Sequence, residues 1–517
     1  MNARRTSALL LAVVALVTTA LVGCGGDDDG GEDVDVGPAA AAPSDAPIYV
    51  DATVRPQGAA KTNAEAALGK ILDTDDPGSR LSSLFDQAAG EEPPARRVTY
   101  EADIEPWLGD RVGAFFTSFE GEGKGALVIE TTDPQAALDV ARRSEGVSGT
   151  TGETEYNGVT YQPTGEGDDA FGIVGDFLVF GDEVGIKAAI DAEAGDSLGD
   201  SGEFTDALAD LPEDRLGTLY TVPRNLLAAI PPDELDLGDR ATFENVAGEN
   251  LDAPVSGALT ATPESFDLEF ISEGDELETP ESALIGEVPA DAWLAVGIGD
   301  LGSAVRQLLD QLRNADIPGL DQGISQLEGT TGSSLDELTD ALGDSVIYVQ
   351  GVTEPTLTGA LVVQVKDPEL TGRLLSQLQG LLTLGGAAGV QALSLPGGGS
   401  GFQVNDPSNF PQPVELAQQG DRFVIGYGEG SAQQALQPAD PLSGSPTFGA
   451  AKDQVATLGA DLFLSFPQIF QLAEAEGAKK DSGYLEAKPY IDALEYLISG
   501  SGTDDGKAEA KAVLGLK

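Results

Sequence analysis

Three glycines in the stretch AWLAVGIGDLG have the spacing of a dinucleotide-binding loop. Gly297, Gly299 and Gly302 spell G-x-G-x-x-G after an apolar run, and the stretch SAVRQLLDQL that follows predicts a helix. A dinucleotide site also needs a parallel βαβ unit, with an acidic residue about 20 residues further on, at the end of the next strand. The stretch NADIPGLDQG follows the helix instead, and no strand is readable there. We therefore expect no cofactor: Gly297 and Gly299 let a strand end close to its neighbours, and Gly302 forms a turn.

Two further stretches imitate catalytic motifs. GDSLG at 195–199 resembles a hydrolase elbow, but that elbow needs a strand before Ser197 and a histidine partner. A predicted helix precedes Ser197, and the 517 residues contain no histidine. GEGKG at 121–125 resembles a phosphate loop, but Gly125 stands where that loop needs Ser or Thr. Without histidine there are no Ser-His or Cys-His pairs and no imidazole metal ligands. We predict no catalytic, cofactor-binding or metal-binding residue.

Two tryptophans are the remaining candidates for contact with a ligand. Trp107 and Trp293 lie beside apolar runs and offer flat rings on which a ligand could stack. A tryptophan beside an apolar strand more often packs in the core or at its rim. We expect packing for both, and the sequence leaves the ligand-binding residues unknown.

The first 24 residues carry the clearest signal in the chain. Arg4 and Arg5 precede an apolar run at 8–22, which is too short for a comfortable membrane span of about 20 residues. The tetrad LVGC that ends at Cys24 resembles the bacterial lipobox. This resemblance implies a lipoprotein signal peptide at 1–23 and a lipid (palmitate) on Cys24, the single cysteine of the chain. An ordinary cleaved signal peptide is the alternative.

Composition, charge and hydropathy indicate the location of the chain and exclude one class of partner. Residues 24–44, rich in Gly, Asp, Pro and Ala, predict a disordered acidic tether. The formal net charge of −59 repels nucleic acid, so we expect no nucleic-acid partner. No later run of 18 apolar residues is present. We expect a chain that is held to the cell membrane by lipid, on the extracytoplasmic side.

The body of the chain repeats itself. The segment 105–143 parallels 339–377, with GALV, Asp-Pro and Gly-Asp pairs 234 residues apart, and 204–227 parallels 448–471 at an offset of 244. Loop insertions would produce this slow change in offset. We predict a tandem duplication with repeats at 45–276 and 284–517, joined by a linker at 277–283.

Each repeat is predicted to be an α+β domain. RVGAFFTSF and GALVIETT predict two strands of a hairpin, and Asp133-Pro134 predicts a helix start. Further short strands and two helices follow, and a final hairpin closes each repeat. Strands joined by tight turns pair antiparallel, so we expect an antiparallel sheet with helices packed on one face.

Three stretches carry a family resemblance: APIYVDATVRP, DIEPWLGDRVG and GDFLVFGDE. They resemble domain-of-unknown-function family 3352, uncharacterised envelope lipoproteins of actinobacteria and cyanobacteria. The resemblance spans most of the chain after the tether, but the second repeat has Asp340 and Ala341 in place of Pro106 and Trp107. No activity is established for that family, so the resemblance implies no functional residues.

The sequence favours a membrane-anchored, non-catalytic lipoprotein that binds a protein partner or another envelope component, such as a polymer. A carrier of an apolar small molecule or lipid is the alternative, and a His-independent hydrolase using carboxylates is the third. A cavity lined by Leu, Phe and Val would favour the carrier, and two facing carboxylates in a cleft would favour the enzyme. On this ranking the body is expected to purify without stoichiometric lipid. The oligomeric state is left open.

Overall fold

The computed structural model of the chain describes residues 36–90, 92–121, 123–147, 152–164, 167–231, 248–273, 282–314, 319–384, 389–406, 408–504 and 506–517. The predicted signal peptide, Cys24 and most of the predicted tether and linker lie outside these residues. The chain divides into two compact units, Met1–Asp275 with Gly506–Ala508, and Glu276–Asp505 with Glu509–Lys517. Among the described residues, no helix is long and apolar enough to span a bilayer.

The first unit builds one antiparallel sheet from its described strands. These are β1 (Tyr49–Thr53), β2 (Leu108–Ser118), β3 (Lys124–Thr131), β4 (Thr154–Tyr156), β5 (Val159–Pro163), β6 (Asp169–Val174), β7 (Phe177–Asp182), β8 (Gly217–Thr221), β9 (Val255–Thr262) and β10 (Ser265–Ser272). Their order across the sheet is β10-β9-β8-β1-β2-β3-β7-β6-β5-β4. The helices are α1 (Gly58–Leu72), α2 (Pro77–Ala89), α3 (Pro134–Glu145), α4 (Glu183–Glu193), α5 (Gly202–Ala209) and α6 (Pro223–Ala229).

The second unit has the same order of strands. These are β11 (Ala292–Ile298), β12 (Leu342–Gln350), β13 (Thr358–Val365), β14 (Val390–Ala392), β15 (Ser400–Val404), β16 (Val414–Gln419), β17 (Arg422–Tyr427), β18 (Leu462–Ser465), β19 (Leu494–Asp504) and β20 (Lys507–Leu516). Their order is β20-β19-β18-β11-β12-β13-β17-β16-β15-β14. The helices are α7 (Leu301–Asn314), α8 (Leu320–Thr331), α9 (Leu335–Asp340), α10 (Pro368–Leu384), α11 (Ser431–Leu436), α12 (Pro446–Asp453), α13 (Phe466–Ala475) and α14 (Ser482–Ile491).

The predicted α+β class with an antiparallel sheet is confirmed. The predicted hairpin is β2–β3, and Asp133 caps α3 by accepting a hydrogen bond from the amide of Ala136 at 3.0 Å. Helices α1 and α2, by contrast, are absent from the sequence prediction. The Ala-rich sequence of α1 carries little apolar periodicity, whereas α2 is amphipathic and was missed.

The prediction that helices cover one face of the sheet is wrong, because they cover both. Along β3, Ala126 and Val128 pack in one cluster with Ile186 and Ile190 of α4. The residue between them, Leu127, packs in another cluster with α3. Since successive side chains of a strand point to opposite faces, α3 and α4 lie on opposite sides of the sheet. A mostly apolar run such as GALVI fits a strand that is buried on both faces.

The predicted tether ends earlier than residue 44. Residues Gly37–Ala41 form a 3₁₀-helix, and Ala39, Ala41 and Ala42 are fully buried in the core of the first unit. Small side chains resemble a linker in composition, yet they fit where a segment lies close against a sheet. The predicted linker also ends too late, since Ser282 is fully buried and donates a hydrogen bond to the carbonyl of Ser345 at 2.8 Å.

A buried ion pair joins β1 to β2 in the first sheet. Asp51 on β1 accepts hydrogen bonds from Arg111 Nη2 at 2.6 Å and from the Tyr49 hydroxyl at 3.0 Å, and all three residues are buried. In the second unit Gly297 occupies the strand position of Asp51, and a Cβ there would lie 3.0 Å from Cβ of Ser282. At this strand position the first unit therefore has a buried, paired carboxylate, and the second unit has a glycine that leaves room for a serine side chain.

The described core of the second unit contains a buried tyrosine hydroxyl without a hydrogen-bond partner. Tyr348 on β12 is 1% exposed, and its hydroxyl has no hydrogen-bond partner among the described residues. Burial, with a smaller contribution from the negative charge of Asp291, raises the pKa of Tyr348 above its usual value near 10. A buried hydroxyl without a partner costs free energy that a phenyl ring would not.

We expect Tyr348→Phe to raise the free energy of unfolding of the second unit by about 1 kcal/mol at neutral pH. The raised pKa keeps the folded tyrosine neutral. Below about pH 10 the cost of the buried hydroxyl is independent of pH. Above about pH 10 the natural chain loses further stability, because the unfolded tyrosine ionises while the folded one stays neutral. The Phe variant should lack this alkaline loss. Urea unfolding at pH 7 and pH 11 measures both effects.

Tyr49→Phe provides the matched control, since the Tyr49 hydroxyl donates to Asp51. That variant should lose stability at neutral pH. A Tyr348→Phe variant that is also less stable than the natural chain would contradict the assignment of an unpaired hydroxyl.

Candidate binding face

Ser197, the serine of the hydrolase-like motif, makes hydrogen bonds within its own turn. Ser197 is 4% exposed in the turn between α4 and α5, where its hydroxyl donates to Asp200 Oδ2 at 2.8 Å and accepts from the Asp200 amide at 3.2 Å. No strand leads into this turn, as an elbow would require. The geometry gives Ser197 the role of a cap.

The glycine motif lies between a strand and a helix, but its neighbours differ from those of a nucleotide site. β11 leads into α7, and both strands that pair with β11 run antiparallel to it. Gly302 is in the first turn of α7 and not in a loop, which corrects the predicted turn. A Cβ there would lie 2.1 Å from the carbonyl oxygen of Thr339, so this glycine lets α7 and α9 approach closely.

Both tryptophans pack. Trp107 is 4% exposed in a core cluster of the first unit, and its Nε1 donates to the carbonyl of Asp103 at 2.6 Å. Trp293 is half-buried, and its Nε1 donates to the carbonyl of Gly351 at 2.9 Å. Each ring is fixed by a backbone partner.

Two concavities are lined by both charged and apolar residues. The first, of about 340 Å³, lies in the first unit and includes Phe85, Arg96 and Glu145. The second, of about 320 Å³, lies in the second unit and includes Phe448 and Lys452. Neither is the cavity of Leu, Phe and Val that an enclosed apolar ligand would need. Among the described residues, no group of three or more Asp, Glu or Cys is placed to hold a metal ion.

The sheets differ on the face away from α4 and α11. In the first unit a row of side chains crosses this face where Ala114, Leu127 and Phe180 are paired on β2, β3 and β7. Ala114 and Leu127 are only 7% and 8% exposed. Trp107 and Tyr100 pack with these two residues in one cluster, so the chain covers this row itself.

Aromatic residues supply that cover, and hydrogen bonds hold them in place. Tyr100 begins a short π-helix, Tyr100–Ile104, and its amide donates to Asp86 of α2 at 2.8 Å. The rings of Phe85 and Tyr100 meet edge to face with their centres 6.3 Å apart. The segment between β1 and β2 therefore closes the first sheet.

The same row in the second unit is open. Ile347, Leu361, Ile425 and Leu416 are paired across β12, β13, β17 and β16, and we call these four residues the open face. Ile347 is 41% exposed and Ile425 is 39% exposed, while Leu361 and Leu416 between and beside them are half-buried. The residues on either side of Ile347, Val346 and Tyr348, point to the buried core.

The composition of the segment between β11 and β12 explains why the open face is exposed. Residues 299–341 contain no Phe, Tyr or Trp, whereas the corresponding segment of the first unit supplies Phe85, Tyr100 and Trp107. Helix α8 in this segment has no buried residue, and Leu308 and Leu327 are about half exposed. The second unit thus lacks the side chains that close the first.

Sequence reasoning did not find the open face. The signal was present as the loss of aromatic residues between two matching strands, and as the departure at Asp340 and Ala341 from the Pro-Trp pair of the first repeat. An aliphatic row that is partly exposed, with no polar group of its own, can bind an apolar surface or chain.

The contrast between the two rows has a measurable consequence. Leu127→Ala should lower the free energy of unfolding by about 2–4 kcal/mol, because Leu127 is enclosed. Ile347→Ala should lower it by about 1 kcal/mol or less, because much of Ile347 already contacts solvent. Urea unfolding of the full chain measures both variants. Equal losses would show that the row containing Ile347 is covered.

Comparisons with known proteins give one family and little else. A search of curated proteins gave no match. One solved structure, titled "Structure of crystal form I of TP0453", has 10% sequence identity, covers 78% of this chain and 97% of its own, and has a TM-score of 0.18, which is too low to support an argument. The family model described as "Protein of unknown function (DUF3352)" matches residues 6–515. The chain therefore belongs to this family of unknown function, as the three sequence stretches predicted.

Proposed function

We propose that this protein is a non-catalytic lipoprotein on the extracytoplasmic side of the cell membrane, and that it binds an apolar group of an envelope component through the open face. The observation that supports the proposal is the exposure of Ile347 and Ile425 in a row that the first unit keeps buried. Aliphatic side chains that are exposed together in a folded domain mark interaction surfaces.

The two units support a division of labour. Their strand orders match, and we infer that one ancestral domain was duplicated in tandem. The first copy keeps the aromatic residues that cover its outer row, while the second copy has lost them. On this proposal the first unit is a structural support and the second unit binds.

The anchor places the body close to the membrane. If Cys24 carries the lipid, twelve peptide units separate it from Val36, whose neighbours at 37–42 are packed into the first unit. Such a stretch spans at most about 40 Å when fully extended. Two or more acyl chains hold a protein at a bilayer where one would not.

The anchor is tested by Cys24→Ala. In the native host this variant should take up no radioactive palmitate and should keep its signal peptide, because the acyl acceptor is missing. The natural chain, expressed at the same level, should be labelled. Equal labelling of the two proteins would contradict anchoring through Cys24.

Covering of the open face is tested by cysteine labelling in the non-lipidated background Cys24→Ser, which has no other thiol. The cysteine of Ile425→Cys should react with maleimide in the purified body and should be protected in intact cells, where the envelope component covers it. The matched control is Leu485→Cys, since Leu485 of α14 is 51% exposed and lies outside the open face.

A membrane-impermeant maleimide makes the same experiment report location. The cysteine at 485 should react in intact cells, because the proposal puts the body outside the cytoplasm. Equal reactivity of position 425 in cells and in the purified body would overturn the proposed binding role.

A further inference from the structure

The open face points to a narrower class of ligand. We infer that it binds the hydrocarbon tail of a single lipid whose headgroup carries no net negative charge. This inference rests on the proposed binding role of the open face, and it reverses the ranking that the sequence alone suggests.

The chemistry of the open face excludes recognition by hydrogen bonds. Its four side chains are Ile and Leu, which neither donate nor accept. The strands that carry them are central, because β13 pairs with β12 and β17, and β17 pairs with β13 and β16. Their backbone groups are therefore used within the sheet, and no strand edge is free here to bind a peptide by β-addition. Only burial of apolar surface can drive binding.

The size of the open face fits a chain better than a protein. Ile347, Leu361 and Ile425 lie on three adjacent strands, so they span roughly 10 Å across the sheet. A stable protein partner or a second copy would need about 800 Å² on each side. A flexible hydrocarbon tail can fill the smaller space and bury several methylene groups against it.

The net charge of the chain distinguishes between a second copy of the chain, an anionic lipid and a lipid without net negative charge. At a formal net charge of −59, two copies of the chain repel each other, which opposes pairing through this face. The same charge repels an anionic headgroup more than a zwitterionic one. A lipid with a zwitterionic or uncharged headgroup combines an apolar tail with the least repulsion.

In the first unit, aromatic side chains occupy the space that we assign to the lipid tail in the second unit. There the equivalent row is covered by Tyr100 and Trp107 from the chain itself. The lipid tail takes the place of these rings in the second unit. Consequently, aromatic residues built into the open face should exclude the tail without unfolding the domain.

The test uses the mature chain, residues 24–517 with Cys24→Ser, which keeps every described residue. Lysophosphatidylcholine with a 14-carbon tail, below its micelle concentration, is titrated and followed by calorimetry and native mass spectrometry. One molecule per chain should bind. Glycerophosphocholine, which has the headgroup without the tail, should not bind. Lysophosphatidylglycerol of the same tail length should bind more weakly at low salt, and added salt should reduce that difference.

Variants locate the site. The double variant Ile347→Gln and Ile425→Gln should weaken binding at least ten-fold, whereas Leu485→Gln should change it less than two-fold. The filling variant Ile347→Trp and Ile425→Trp should also lose binding while keeping its melting temperature, which separates loss of the site from loss of the fold. Absence of saturable binding, binding to phosphatidylcholine vesicles alone, or equal binding by all variants would overturn the inference. Protection of a cysteine at 425 in cells together with no lipid binding would leave the proposed function standing and reject the lipid.

Discussion

A β-sheet has two faces, and both must be covered when both are apolar; the structure of this protein follows from that constraint. Side chains alternate along each strand, so one run such as GALVI supplies residues to both sides of its sheet. In each unit one face packs on a helix with small residues, α4 or α11. The other face of the first unit is covered by α3 together with the long segment that precedes β2, and the matching segment of the second unit precedes β12. That segment brings aromatic residues in the first unit and none in the second.

The same constraint explains several motifs that resemble active sites. Gly297 accommodates the side chain of Ser282, and Gly302 accommodates the backbone of α9, so the glycine spacing reflects close packing. Ser197 caps a turn that lies against the buried segment at 37–42. The buried Asp51–Arg111 pair holds the first strands together, and breaking it would leave a charge without a partner in the core. Each of these residues contributes to the packing of the sheets, and within the described part of the chain none of them is brought together with another candidate site residue.

Much of the fold could be predicted from the sequence because it depends on local signals. β-Branched and aromatic residues together with a glycine-rich turn identify β2 and β3, and the Asp-Pro pair at 133 marks the start of α3. The covering of both faces could not be predicted, because a run buried on two sides shows no alternation to assign. The burial of Ala39 and Ala41 was missed for a related reason, since alanine fits both a linker and a narrow core. The open face was missed because its exposure results from the lack of aromatic residues in a segment that is distant in sequence. A search for motifs does not detect residues that are missing.

The account depends on the claim that Ile347 and Ile425 contact a lipid tail, and methyl NMR observes that contact directly. A chain of residues 24–517 with Cys24→Ser is labelled at the isoleucine δ1 methyl groups and titrated with 14-carbon lysophosphatidylcholine below its micelle concentration. The account predicts saturable shifts of the Ile347 and Ile425 methyls, with unchanged signals from Ile186 and Ile190, which are buried in the first unit. Unchanged signals from Ile347 and Ile425 at saturation would contradict it.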